Sequence, residues 1–297
     1  MESEALRLIV VPECGGHIVS LQNKETEKEW LVQAPHRKLR ESRYGDPYGL
    51  HAMYGWDECF PTIIACAYPE KGKHEGVWLP DHGELWALPW SAEVKGNELY
   101  CKVSGKAIPY TFSRTLAFTG MSRVRFSYEV RNESSELLSA FWTAHPLLAA
   151  TENTEIRVSP EVKRMLCVDG GKHFEQGKFY DWKPESSGLH AKMNSFGAPS
   201  EVDSRKFYAD SSVRPDWCGL YERDTGDYIT LSWSPEELPY FGIWTNEGQF
   251  NGQLACALEP ANGYYDELGL AVREDKRLLL QPGAVASWSI EVTVGLD

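Results

Sequence analysis

The stretch Arg123-Val124-Arg125-Phe126-Ser127-Tyr128-Glu129-Val130-Arg131 alternates polar and apolar residues without a fault. Val124, Phe126, Tyr128 and Val130 face one way, and the arginines, Ser127 and Glu129 face the other. Successive side chains leave a pleated strand on opposite sides, so this pattern marks a strand with one wet face. Residues 286–294 repeat it, with Trp288, Ile290, Val292 and Val294 set against Ser287, Ser289, Glu291 and Thr293. Further strands are expected at 6–11, 17–22, 85–94, 98–103, 110–118, 218–222, 228–233, 240–244 and 254–258. Turn signals such as Lys95-Gly96-Asn97 and Asp224-Thr225-Gly226-Asp227 separate them. No breaker-free segment longer than about ten residues holds a helical apolar stripe. The expected fold class is all-β, a large antiparallel β-sandwich.

The chain has 297 residues and is read as one domain, 1–297, with long loops at about 35–80 and 169–216. Loops of that length in a compact domain commonly carry function. The formal charge is −13, which argues against nucleic acid and anionic membranes as partners, since both attract basic surfaces. The aromatic content, 11 Trp, 14 Tyr and 11 Phe, implies a large core, an aromatic-lined cleft, or both. The start, Met1-Glu2-Ser3-Glu4, lacks the basic n-region of a secretory signal, and no apolar run reaches the roughly 18 residues of a spanning helix. Seven cysteines, an odd and scattered set without a C-x-x-C pair, fit reduced thiols. A cytoplasmic protein is expected, and the sequon Asn132-Glu133-Ser134 is read as accidental.

Phosphate-binding glycine loops, the G-x-S-x-G elbow and metal-ligand spacings such as H-E-x-x-H are all missing, so no cofactor and no metal are expected. Three segments combine ionisable groups with features of binding surfaces. In Trp78-Leu79-Pro80-Asp81-His82-Gly83-Glu84-Leu85-Trp86, Pro80 and Gly83 bracket His82 in a turn. In Phe141-Trp142-Thr143-Ala144-His145-Pro146, a histidine interrupts an apolar strand that the proline is expected to end. In Leu254-Ala255-Cys256-Ala257-Leu258-Glu259-Pro260-Ala261-Asn262-Gly263, a carboxylate ends an apolar run ahead of a proline. Taken singly, each has a plain structural reading: a satisfied core histidine, an exposed turn, a strand end facing water.

Together, the order H-G, H-P, then L-E-P-x-N-G, with Leu238-Pro239-Tyr240-Phe241-Gly242-Ile243-Trp244 shortly before the last, resembles the aldose 1-epimerase (galactose mutarotase-like) family. Gly15-Gly16-His17-Ile18-Val19-Ser20-Leu21 is similar to that family's first strands. The resemblance implies a large antiparallel sandwich that binds a sugar in a cleft and interconverts the α and β anomers of an aldose. It places Glu259 at the general base, His145 at the general acid and His82 at a second, sugar-holding histidine. A carboxylate and a protonated imidazole suit that chemistry, since one removes the C1 hydroxyl proton and the other protonates the ring oxygen. Trp56, Trp86 and Trp244 would offer flat faces to sugar C–H surfaces.

Two departures stand out. Many members carry a sugar-contacting Arg after an F-P pair, but here Phe60-Pro61 leads into Thr62-Ile63-Ile64. Asp57, or Arg37, Arg40 or Arg43 from the preceding loop, are the candidates to take over hydroxyl recognition. The family's central Asp has three possible matches, Asp203, Asp210 and Asp216. The expected partner is a small neutral sugar, because a phosphorylated one needs clustered basic residues and only Arg37, Lys38, Arg40 and Arg43 form such a cluster. Two other functions fit the same residues. One is a non-catalytic carbohydrate-binding sandwich. The other is a glycoside hydrolase or lyase that pairs Glu259 with Asp57 or Glu58.

Overall fold

A computed structural model describes residues 1–33, 42–50, 53–183 and 188–297. In chain order its strands are β1 (Leu6–Val11), β2 (His17–Asn23), β3 (Trp56–Cys59), β4 (Cys66–Ala67), β5 (Trp78–Leu79), β6 (Ser91–Lys95) and β7 (Glu98–Ser104). There follow β8 (Tyr110–Gly120), β9 (Arg123–Asn132), β10 (Leu138–Ala140), β11 (Thr143–Ala149), β12 (Thr154–Val158), β13 (Arg164–Asp169) and β14 (Phe179–Asp181). The last group is β15 (Asp203–Ala209), β16 (Trp217–Glu222), β17 (Asp227–Trp233), β18 (Tyr240–Glu247), β19 (Leu254–Ala261), β20 (Leu278–Leu280) and β21 (Val285–Leu296).

Two large antiparallel sheets dominate, one ordered β1-β2-β3-β11-β19-β18-β15-β13-β14 and the other β12-β16-β17-β21-β9-β8-β7-β6. The alternating stretch at 123–131 lies in β9, paired with β8 and β21 in the middle of the second sheet. Its apolar side, Val124, Phe126, Tyr128 and Val130, is buried in the core, as the period-two pattern requires. No helix among the described residues is long and apolar enough to cross a membrane.

The sheets pack face to face over one apolar cluster that runs from Leu6 to Val294. Trp56 lies in this core, fully buried and stacked on Phe126 at 4.7 Å. Tyr128, Trp142 and Trp288 pack together beside it. Within the core Glu58 accepts from Arg114 at 2.9 Å, from the Tyr128 hydroxyl at 3.0 Å and from Trp142 Nε1 at 3.0 Å. Three donors, one of them a permanent cation, offset only part of the cost of burial, which still pushes this carboxyl up to about 7.

Three local expectations are corrected. Residues 85–94 do not form one strand: Leu85–Ala87 is a 3-10 turn, and β6 begins only at Ser91 as an exposed sheet edge. Pro89 explains the break, having no N–H to give and restricting Leu88. Pro146 does not end its strand, for β11 runs through it to Ala149. The two segments read as long loops also hold regular structure, including β3 and β15.

Candidate active site

Both neighbours of β11 contribute to the site through register. β11 pairs with β19 as Thr143↔Ala261, and pairing resumes at Leu147↔Ala257. Counting inward from either pair puts His145 opposite Glu259. Pro146 and Pro260 flank this point without N–H groups, and the ladder carries no pairs across it. On the other side His145 is opposite Asp57 of β3. Glu259 is opposite Gly242 of β18, and Gly242 is opposite Tyr208 of β15. Directly opposed residues project to the same face, so Asp57, His145, Glu259 and Tyr208 form one row across the nine-stranded sheet. The next row supplies Leu147, Ala257, Trp244 and Lys206. This face is separate from the main core, and Leu147 and Ala257 form their own small apolar cluster with Trp244 packed on it.

Above the rows lies a cleft of about 450 Å3 whose lining includes His82, His145, Lys206, Trp244, Glu259 and Asp266. Ile63 and Ile64 form an apolar part of the wall. Gly242 has no side chain for a reason: a Cβ there would sit 3.1 Å from Glu259 Oε2 and 3.0 Å from the Tyr208 ring.

Glu259 is 1% exposed, and neither of its oxygens accepts a well-aligned hydrogen bond from the described residues. The Lys206 ammonium stands 2.9 Å from Oε2 and 2.8 Å from Asp266 Oδ1. Burial pushes the Glu259 carboxyl up, Lys206 pulls it back and the Asp266 charge adds to the rise; the net result lies above the ordinary range. Burial likewise opposes charge on Asp266, but Lys206 and the Tyr208 hydroxyl, donating at 2.6 Å, outweigh it and hold that carboxyl low. Lys206 is held charged because its two carboxylates overcome the cost of burial.

His145 is 5% exposed, and its Nδ1 has no partner among the described residues. Burial, with His82, Lys206 and His17 nearby, drives it well below the usual imidazole range. A depressed imidazolium is scarcer near neutrality and a stronger acid when it forms. The protonated imidazole expected from the sequence is therefore not the resting form of this side chain.

His82 sits in a turn with φ 57°, followed by Gly83 with φ 70°. Glycine is required at the second position, since a Cβ would come within 2.0 Å of the Phe60 carbonyl oxygen. Asp81 Oδ1 is 2.8 Å from His82 Nδ1, while Asp81 Oδ2 accepts from the Tyr48 backbone at 2.9 Å. Tyr48 stacks on His82 at 4.1 Å and meets His145 edge-on at 5.1 Å. The two imidazoles lie 5.1 Å apart, so three segments distant in sequence converge.

The remaining candidates scatter. Trp244 lines the cleft, but Trp56 belongs to the core. Trp86 is buried behind Tyr48, and its ring N–H donates to the carbonyls of Asp81 and Gly83, so it braces the histidine turn. Asp57 shares the row of His145 but is covered by Tyr48, whose hydroxyl donates to it at 3.1 Å. Glu58 points into the core. Asp203 is buried against Arg205, Asp210 pairs with Arg164 near the surface, and Asp216 is exposed, so none of the three reaches the cleft. Arg43 is exposed, and Arg37, Lys38 and Arg40 lie outside the described residues. Lys206, Asp266, Tyr48 and Tyr208 were not anticipated. No group of three or more potential ligands stands close enough to hold a metal ion among the described residues.

The architecture is that of solved galactose mutarotase-like proteins. No family model matches the chain, and no curated protein does. The likeness is to solved structures. A galactose mutarotase-like protein from Lactobacillus casei is 18% identical with a TM-score of 0.72, over 99% of this chain and 99% of that one. A galactose mutarotase related enzyme from Lactobacillus acidophilus is 15% identical with a TM-score of 0.68, over 99% and 96%. A galactose mutarotase-like protein from Clostridium acetobutylicum is 12% identical with a TM-score of 0.70, over 99% and 94%.

Proposed function

We propose that this chain is an aldose 1-epimerase-like isomerase that interconverts the α and β anomers of a small neutral aldose. The observation that carries this reading is Glu259 facing His145 across adjacent strands in a single cleft. In the forward step a Glu259 oxygen takes the C1 hydroxyl proton. The freed electron pair forms the C1 carbonyl, the bond from C1 to the ring oxygen breaks, and that oxygen takes its proton from the His145 imidazolium, the minority form that burial makes scarce but strongly acidic. Rotation about C1–C2 and the reverse transfers close the other anomer. Each proton transfer is worth about 10²–10⁴-fold. His82, braced by Asp81 and stacked on Tyr48, holds a sugar hydroxyl, and Trp244 offers an aromatic face.

A neutral substrate suits the charge balance, because Lys206 already faces two carboxylates. The hydrolase alternative loses its partner carboxylates, Glu58 to the core and Asp57 behind Tyr48. The test is Glu259→Gln, which keeps the shape and removes the base. Polarimetry on a freshly dissolved anomer, screened across aldoses, should show kcat reduced by about 10²–10⁴-fold with sugar affinity nearly unchanged. Undiminished turnover would overturn the assignment, and saturable binding without any exchange in the unaltered protein would favour the carbohydrate-binding alternative.

A further inference from the structure

We propose that Lys206 is the positioning residue of this cleft: clamped by Asp266, it holds the Glu259 carboxylate through Oε2 and reserves Oε1 for the substrate proton. The inference rests on the reading of Glu259 as the base. The clamp is built from one strand and one loop. Lys206 and Tyr208 project from the same face of β15, and both reach Oδ1 of Asp266, at 2.8 and 2.6 Å. The Asp266 backbone is fixed as well, its carbonyl accepting from the N–H groups of Ile63 and Ile64 at 3.0 and 2.8 Å. With Asp266 immobile, the ammonium can satisfy it and still stand 2.9 Å from Glu259 Oε2. The side chain of Lys206 is only 12% exposed, so solvent does little to screen the contact.

The groups facing Glu259 come from every element around it: Lys206 and Tyr208 from β15, Asp266 from the loop after β19, His145 from β11 and His82 from its turn. Cys59 of β3 and Cys256 of β19 also lie near. Burial holds the two thiols and the Tyr208 phenol neutral. Lys206 is the one cation in ion-pair contact with Glu259 among the described residues. A carboxylate buried without such a partner takes up a proton and stops being a base. Lys206 thus fixes the direction of the carboxylate and keeps it ionised.

The test is Lys206→Met, with Lys206→Arg as the charge-retaining control. Side-chain 13C NMR follows the Glu259 carboxyl, identified by its loss in Glu259→Gln, and kcat/KM is followed against pH in parallel. Loss of an opposite charge at this distance should raise the Glu259 midpoint and the acid limb by at least about one pH unit, while the arginine variant stays within about half a unit. A midpoint unmoved in Lys206→Met would overturn the inference. Should that variant not fold, Lys206→Gln keeps hydrogen bonding without charge and reads the same displacement. Because the titration needs no turnover, it decides the role of Lys206 even if no sugar is epimerised, an outcome that would sink the functional reading alone.

Discussion

Substituting Asp57 by Asn tests how protons are arranged behind the cleft, with a definite sign. The Tyr54 carbonyl can only accept, so His17 Nε2 carries a hydrogen in their 2.7 Å contact. A neutral His17 then presents a bare Nδ1 to Asp57 Oδ1 at 3.3 Å, and lone pairs would oppose each other unless the carboxyl holds the proton. Burial acts the same way, pushing Asp57 up to about 8 and His17 down to about 4. Asp57→Asn imitates the protonated carboxyl, its amide donating to Nδ1 and its oxygen accepting from Tyr48. In the unfolded chain Asp57 ionises near 3.8, so stability due to its raised pKa is full below that pH and is lost as pH rises toward about 8. The gap between 3.8 and about 8, at about 1.4 kcal/mol per pH unit, is on the order of 6 kcal/mol. The His17 contribution, lost as pH falls from about 6.5 toward 4, is common to both proteins and cancels in their difference. Urea unfolding of both proteins from about pH 4 to about pH 9 should therefore show the variant gaining several kcal/mol on the parent as pH rises. Parallel curves, or a parent that gains on the variant, would refute the shared-proton arrangement in favour of an ion pair.

Two further substitutions separate core from cleft. Trp56→Ala should cost about 3–5 kcal/mol in chemical denaturation and leave KM nearly unchanged, because the ring packs on Phe126 and does not line the cleft. Trp244→Ala should do the reverse, raising KM roughly tenfold for the loss of about 1.4 kcal/mol of sugar contact, with little change in stability. Gly242→Ala presses a methyl group against Glu259 and Tyr208; a loss of about 1–3 kcal/mol in stability and a lower kcat are expected, and an unaltered kcat would show that the row tolerates the crowding.

Much of the fold was legible because strand patterning is local. Residues 123–131 and 286–294 declared an inner and an outer face by alternation alone, and both lie in the second sheet. Two of the strands missed have both faces buried or carry charge on a buried side. β3 reads Trp-Asp-Glu-Cys with all four residues buried, and β15 buries Asp203 and Arg205 on one face while aiming Lys206 and Tyr208 at the cleft on the other. Such segments look like polar loop in one dimension, and distant partners, Arg114 for Glu58 and Glu247 for Arg205, help make the charges tolerable.

Local patterning sufficed for the all-β class, most strand positions, and the three short segments that carry His82, His145 and Glu259, since turns, prolines and apolar runs act on neighbouring residues. Which groups meet is a matter of long-range packing. Antiparallel register placed Asp57, His145, Glu259 and Tyr208 in one row. Sheet packing sent Trp56 inward and set Trp86 behind Tyr48. A lysine from β15 reached Asp266, sixty positions further along the chain, and so came to rest beside Glu259. Such contacts depend on strand order and on which face each residue occupies, and neither is a local property of the chain.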